Sequence, residues 1–180
     1  LTASGNAKPS GDTVHRLGAS GNGTDPRAVF QLAARQRNIP LMEEALDTLQ
    51  ACTPRWDFID RYVEIAAARG SLKAGEMLTE CASEFVDESS LSFRKKVEFL
   101  GCFVSFLNRT DRELDHLELV EELCNRLLAV SDGEADKDVA QIHNQRNRLY
   151  HGIYMTTNDQ QWLRKAIQEL ERAREIVPEE

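Results

Sequence analysis

Proline is scarce in this 180-residue chain: there are five, and after Pro54 none recurs until Pro178, so 123 residues run without a helix breaker. Long apolar runs are missing too, and none approaches the roughly 20 residues that a bilayer-spanning helix needs. The opening residues are polar and glycine-rich, without the apolar stretch of a secretory leader. Basic character is lacking, with a net charge of −8, which argues against a dedicated duplex-DNA binder. No Cys-x-x-Cys, His-Glu-x-x-His or Gly-Lys-Ser/Thr ending occurs, so zinc, thioredoxin-like and P-loop chemistry are not suggested. The reading is of a cytoplasmic protein that needs no metal or cofactor and has no membrane partner. Leu1 in the first position reads as the start of a fragment.

The four cysteines (Cys52, Cys81, Cys102 and Cys124) are spaced by 29, 21 and 22 residues. Each sits among apolar residues, where a reduced thiol acts as a small hydrophobe, and all four are expected in the core. Residues 1–24 hold five of the ten glycines and show no periodicity, the composition of a flexible tail. From Asp25-Pro26, an N-cap followed by proline, the pattern is helical. Polar or glycine-containing breaks delimit eight helices near 26–37, 41–52, 55–69, 72–86, 91–107, 112–130, 135–156 and 160–176. Sustained alternation of period two is absent, so the fold class is all-α.

The first four helices form two related hairpins over 25–88. Ala45, Leu49 and Cys52 recur in spacing as Ala74, Leu78 and Cys81, and Leu32-Ala33-Ala34 as Ile65-Ala66-Ala67. Small and large residues in this order let antiparallel helices approach closely. The stretch resembles tetratricopeptide-type repeats, as do Ala166, Leu170, Ala173 and Pro178 in the last helix. The first-helix signature of that repeat is poor throughout. The fifth helix carries two apolar stripes, one of Phe93, Val97, Leu100, Val104 and Leu107, the other of Phe99, Phe103 and Phe106. A helix apolar on both sides belongs at the centre of a fold. The expectation is a four-helix bundle over 89–180, with the hairpins packed against it.

The most informative stretch is Arg146-Asn147-Arg148-Leu149-Tyr150-His151-Gly152 in the seventh helix. Arg146, Asn147, Tyr150 and His151 are expected to share one broad polar side, with Val139, Ile142, Leu149 and Ile153 packing on the other. A guanidinium, a carboxamide and an imidazole suit a phosphodiester, because Arg grips phosphate and His moves protons near neutral pH. At these residues the sequence resembles the HEPN superfamily of all-helical domains, whose hallmark is Arg, a polar residue (often Asn), three residues and His. Gly152 after the His is common there as well. The resemblance covers about 90–177. It implies a homodimeric, metal-independent endoribonuclease in which the RNA 2′-hydroxyl attacks and leaves a cyclic phosphate. On that footing His151 would transfer protons, Arg146 would bind the scissile phosphate, and Asn147 would orient either.

The basic cluster Arg94-Lys95-Lys96 is expected near Arg146 and Arg148, as a patch that receives RNA. Against it stand acidic runs on the fourth helix (Glu76, Glu80, Glu84) and on the sixth (Asp111, Glu113, Asp115, Glu118, Glu121, Glu122), read as solvated faces. The alternative function is a non-catalytic, tetratricopeptide-like scaffold for a peptide or protein partner. In that reading Asn144, Asn147, Arg148 and His151 line a groove for an acidic chain end. His116 reads as a surface histidine, and Trp56 and Trp162 as core anchors.

Overall fold

The computed structural model describes residues 25–178. The glycine-rich 1–24 stretch lies outside them. Eight helices follow one another, and no strand occurs among the described residues. They are α1 (Pro26–Gln36), α2 (Ile39–Gln50), α3, α4 (Leu72–Asp87), α5 (Phe93–Thr110), α6 (Leu117–Ala129), α7 (Asp136–Thr157) and α8 (Gln160–Ile176). Helix α3 runs unbroken through Arg55–Phe58, a π-helical turn over Ile59–Val63, and Glu64–Arg69. Residues five apart lie about 140° apart on an α-helix; the wider π turn brings Phe58 into line with Val63, and both are buried.

The ends are set by local chemistry. Side chains of Asp25, Asn38, Ser71, Ser92 and Asp159 accept from backbone N–H groups at the starts of α1, α2, α4, α5 and α8. Left-handed residues close four helices: Arg37, Gly70 (φ 103°), Asp111 and Asn158. Helix α6 begins five residues later than its apolar pattern suggests. Residues 113–116 stay in turns, and Glu113 among them is 2% exposed, so this part of the acidic run is not a solvated face.

Both stripes of α5 are buried, and α5 touches α3, α4, α6 and α7. Phe85 of α4 stacks on Phe99 at 4.2 Å between centroids, which ties the N-terminal helices to this hub. Gly75 of α4 gives the Phe106 ring its place, because a β-carbon there would overlap the ring. Helices α1 and α2 pack on each other, and α3 packs on α4. Helix α8 lies along α7, its longest contact. The cysteines are free, and only two are buried: Cys81 and Cys124 sit inside, Cys102 is half-buried and Cys52 is exposed. Cys52 lies in the turn after α2, beyond the last buried leucine, Leu49. Trp56 and Trp162 are half-buried against the core; the Trp56 indole N–H donates to Glu88 Oε2 at 2.8 Å.

Candidate nucleic-acid interface on helix α7

Helix α7 is wedged between α5, α6 and α8, and its faces differ in kind. The inward arc carries Ile142, Leu149 and Ile153 together with four polar or charged side chains: His143, Gln145, Arg146 and Tyr150. Arg146 and Tyr150 therefore do not lie on the open polar side that the motif suggests. Four residues apart, they stack on the face that packs against α6.

Arg146 is 8% exposed. Its guanidinium donates to the Glu121 carbonyl at 3.3 Å and to Asn125 Oδ1, both on α6, while its Nε lacks a partner among the described residues. Tyr150 donates to Glu121 Oε1 at 2.6 Å, and burial, that hydrogen bond and the Glu121 charge push its phenol well above the usual range. Burial also pushes the Cys124 thiol beside Arg146 up to about 12, which makes it a packing residue rather than a nucleophile. On the α8 side, His143 Nδ1 donates to Glu169 Oε2 at 2.6 Å, and Arg172 donates to Glu169 Oε1 at the same distance. Burial works against the Glu169 charge. The His143 hydrogen bond and the nearby cations Arg146 and Arg172 outweigh it and hold the carboxyl below its ordinary range.

The outward arc is different. His151 is exposed, and it lies about 140° round the axis from Arg146, so one chain does not bring the two together. Arg148 and Lys137 are exposed on the same outer arc as His151. Asn147 is turned toward α8, where its Nδ2 donates to the Ala166 carbonyl at 2.8 Å. Asn144 is half-buried and lines a shallow α7–α8 cleft with Leu170 and Arg174. The four residues proposed for a peptide groove thus divide between two sides of α7.

Arg148 faces the α5 side. It donates to Gln145 Oε1 at 2.9 Å and to Ser105 Oγ at 2.8 Å, which fixes its guanidinium on the wall of a groove of about 680 Å³. Arg94, Arg109 and Lys137 line the same groove, with Glu98 and Asp138 as its carboxylates. Of the basic cluster only Arg94 lines this groove. Lys95 pairs with Asp60 and Glu98, and Lys96 is half-buried next to Glu88. Arg109 and Lys137, which no local motif marks, complete the groove because α5 and α7 pack side by side. His143 and Glu169 had a fainter signal: both fall at helix positions otherwise held by buried apolar residues.

Gly152 has a packing reason. Glu113 and Asn108 press against α7 there, and a β-carbon would lie 2.8 Å from Asn108 Oδ1 and closer still to Glu113 Oε1. Asn108 Nδ2 also donates to the Arg148 carbonyl at 3.2 Å. The glycine lets the α5–α6 turn seat under the segment that presents Arg148 and His151. Among the described residues no group of three or more His, Cys, Asp or Glu side chains could hold a metal ion, and no helix is long and apolar enough to cross a membrane. No family model, curated protein or solved structure matches this chain.

Proposed function

We propose that the chain is a HEPN-like, metal-independent endoribonuclease whose working surface is the outer arc of α7, with Arg148 in the phosphate role that the resemblance gave to the buried Arg146. The observation that carries this reading is the exposed His151, three residues from a guanidinium fixed by Ser105 and Gln145 on the wall of a cation-lined groove. Residues three apart on a helix are neighbours, so one phosphodiester can meet both. In the reaction His151 takes the proton of the RNA 2′-hydroxyl, whose oxygen bonds to phosphorus. The bond from phosphorus to the 5′-oxygen breaks, and the same histidine of a second copy protonates that leaving oxygen. The products are a 2′,3′-cyclic phosphate and a 5′-hydroxyl. Arg148 neutralises the charge that develops on the phosphate oxygens. The buried Arg146 and the α8-bound Asn147 hold the helix that presents these groups.

The test is incubation of single-stranded RNA with purified protein in EDTA, beside His151→Ala. Cleavage by the wild type alone, ending in cyclic phosphate, supports the reading; no cleavage, or equal cleavage by both, removes it. A second reading, a tetratricopeptide-like scaffold, has support from the α2–α3–α4 cleft of about 400 Å³, where Phe58, Ile59 and Met77 sit beside Arg55. It calls for a monomer in native mass measurement and no catalysis.

A further inference from the structure

The groove between α5 and α7 runs against the acidic balance of the chain. Four cations and two carboxylates line it, in a chain whose net charge is −8. We propose that this groove, lined by Arg94, Arg109, Lys137 and Arg148, is a track for the phosphate backbone of single-stranded RNA that reads no bases. The proposal rests on the ribonuclease reading for its choice of RNA and adds where the strand lies, how it is held, and what it lacks in sequence preference.

Three observations carry it. The three arginines are held in place rather than waving in solvent. Arg148 donates to Ser105 and Gln145, Arg109 donates to the Ala68 carbonyl, and Arg94 lies against Glu98 at 3.0 Å. Guanidiniums set in this way present their remaining N–H donors in fixed directions, which suits phosphate oxygens. The second observation is the length of the charged strip. Lys137 opens α7 and Arg148 lies three turns further on, about 16 Å along the axis at the rise of an α-helix. A small anion would occupy one point of such a strip, whereas a polyanion can follow it.

The third is what the groove lacks. No Phe, Tyr or Trp lines it, so bases find no aromatic ring to stack on. Its apolar lining is Ala68, Val97, Gly101 and Cys102. These residues are too small to hold the large aliphatic or aromatic anchor that gives a peptide its affinity. Apart from the charged residues the polar lining is Gln141, with Ser105 and Gln145 engaged by Arg148, so the four cations make the main contacts, to phosphate, and these position a strand without specifying its sequence.

The experiment is fluorescence anisotropy with labelled 2′-O-methyl U12 and A12, which cannot be cleaved through the 2′-oxygen, for the wild type and Lys137→Ala/Arg148→Ala. The expected result is similar affinity for the two oligonucleotides, within about threefold, because the contacts are to phosphate. The double variant should bind about tenfold or more weakly, with a salt slope of log Kd shallower by about 1.4, from about 0.7 per lost cation on a single strand. Lys137→Ala alone, at an exposed first-turn position, guards against misfolding and should lower the slope by about 0.7. Unchanged affinity in the double variant, salt-independent binding, or a strong preference for one base would each overturn the proposal. Binding of a labelled poly-glutamate peptide in place of RNA would also overturn it, and would hand the groove to an acidic protein partner. Because the probe cannot be cut, the groove can fail while cleavage stands, and cleavage can fail while the groove stands.

Discussion

The inner and outer faces of α7 carry the same kinds of residue to opposite ends. Each holds an arginine and a histidine. Inside, Arg146 and His143 are buried and spend their donors on α6 and α8. Outside, Arg148 and His151 are exposed, and only Arg148 is pinned, by Ser105 and Gln145. A buried polar side chain is tolerated when it is hydrogen-bonded to the elements around it, so the inner pair works for the fold. A pinned but open cation costs little to hold and keeps donors for a ligand, so the outer pair is free for function. The identity of the residue does not separate the two roles; the helix phase does.

The sharpest way to break this comparison is to truncate one arginine from each face. Arg146→Ala should lower the unfolding free energy by about 2–4 kcal/mol, because the buried side chain loses its packing together with two charged hydrogen bonds to α6. Next comes Gly152→Ala, whose new methyl group must push Glu113 and Asn108 away from α7. We expect a loss of about 1–3 kcal/mol in urea unfolding, as for an overpacked core site. Cleavage should fall with it, because the turn beneath Arg148 moves.

Glu64 sharpens the comparison from elsewhere, as a buried acid that has not found a cation. It is 8% exposed, and its Oε1 has no partner among the described residues. Burial pushes its carboxyl up to about 7; the Cys102 hydrogen bond opposes the rise and the Glu98 charge adds to it. The folded-state value lies above the unfolded one, so Glu64 takes stability away as pH rises from about 4.5 to about 7. Glu64→Gln should therefore be more stable than the wild type at pH 8, by about 2 kcal/mol, with little difference at pH 4.5. Glu169 has the opposite sign. Its carboxyl is held low, so its contribution is present above about 4.5 and is lost as pH falls through the lower folded value. The smallest expected effect is that of Tyr150→Phe. It removes one hydrogen bond to Glu121 and should cost about 1 kcal/mol, readable as a shift of the urea midpoint.

The eight helices were legible because their punctuation is chemical and local. Asp25-Pro26, Ser71, Ser92 and Asp159 cap, Gly70 and Asn158 stop, and no proline interrupts the span between Pro54 and Pro178. The central place of α5 was legible in its two apolar stripes, both of which are buried. The late start of α6 was not, because nothing near Glu113 in the sequence announces that Gly152 will leave room for it. The burial of Arg146 was hidden for the same reason: Glu121 and Asn125 lie 25 and 21 residues away, and an arginine beside an asparagine reads as a solvated pair. Its phase on the helix, in line with Tyr150 and on the side of Ile142, Leu149 and Ile153, nevertheless stood in the sequence. The groove needed the fold outright, since Arg94, Arg109, Lys137 and Arg148 come from distant parts of α5 and α7.

The division of α7 into a structural and a working face is tested most directly by urea unfolding of Arg146→Ala and Arg148→Ala side by side, at pH 7 and in one buffer. The account predicts a large loss of stability for Arg146→Ala and a change within about 1 kcal/mol for Arg148→Ala, as expected of an exposed side chain. Equal losses, or a larger loss for Arg148→Ala, would contradict it.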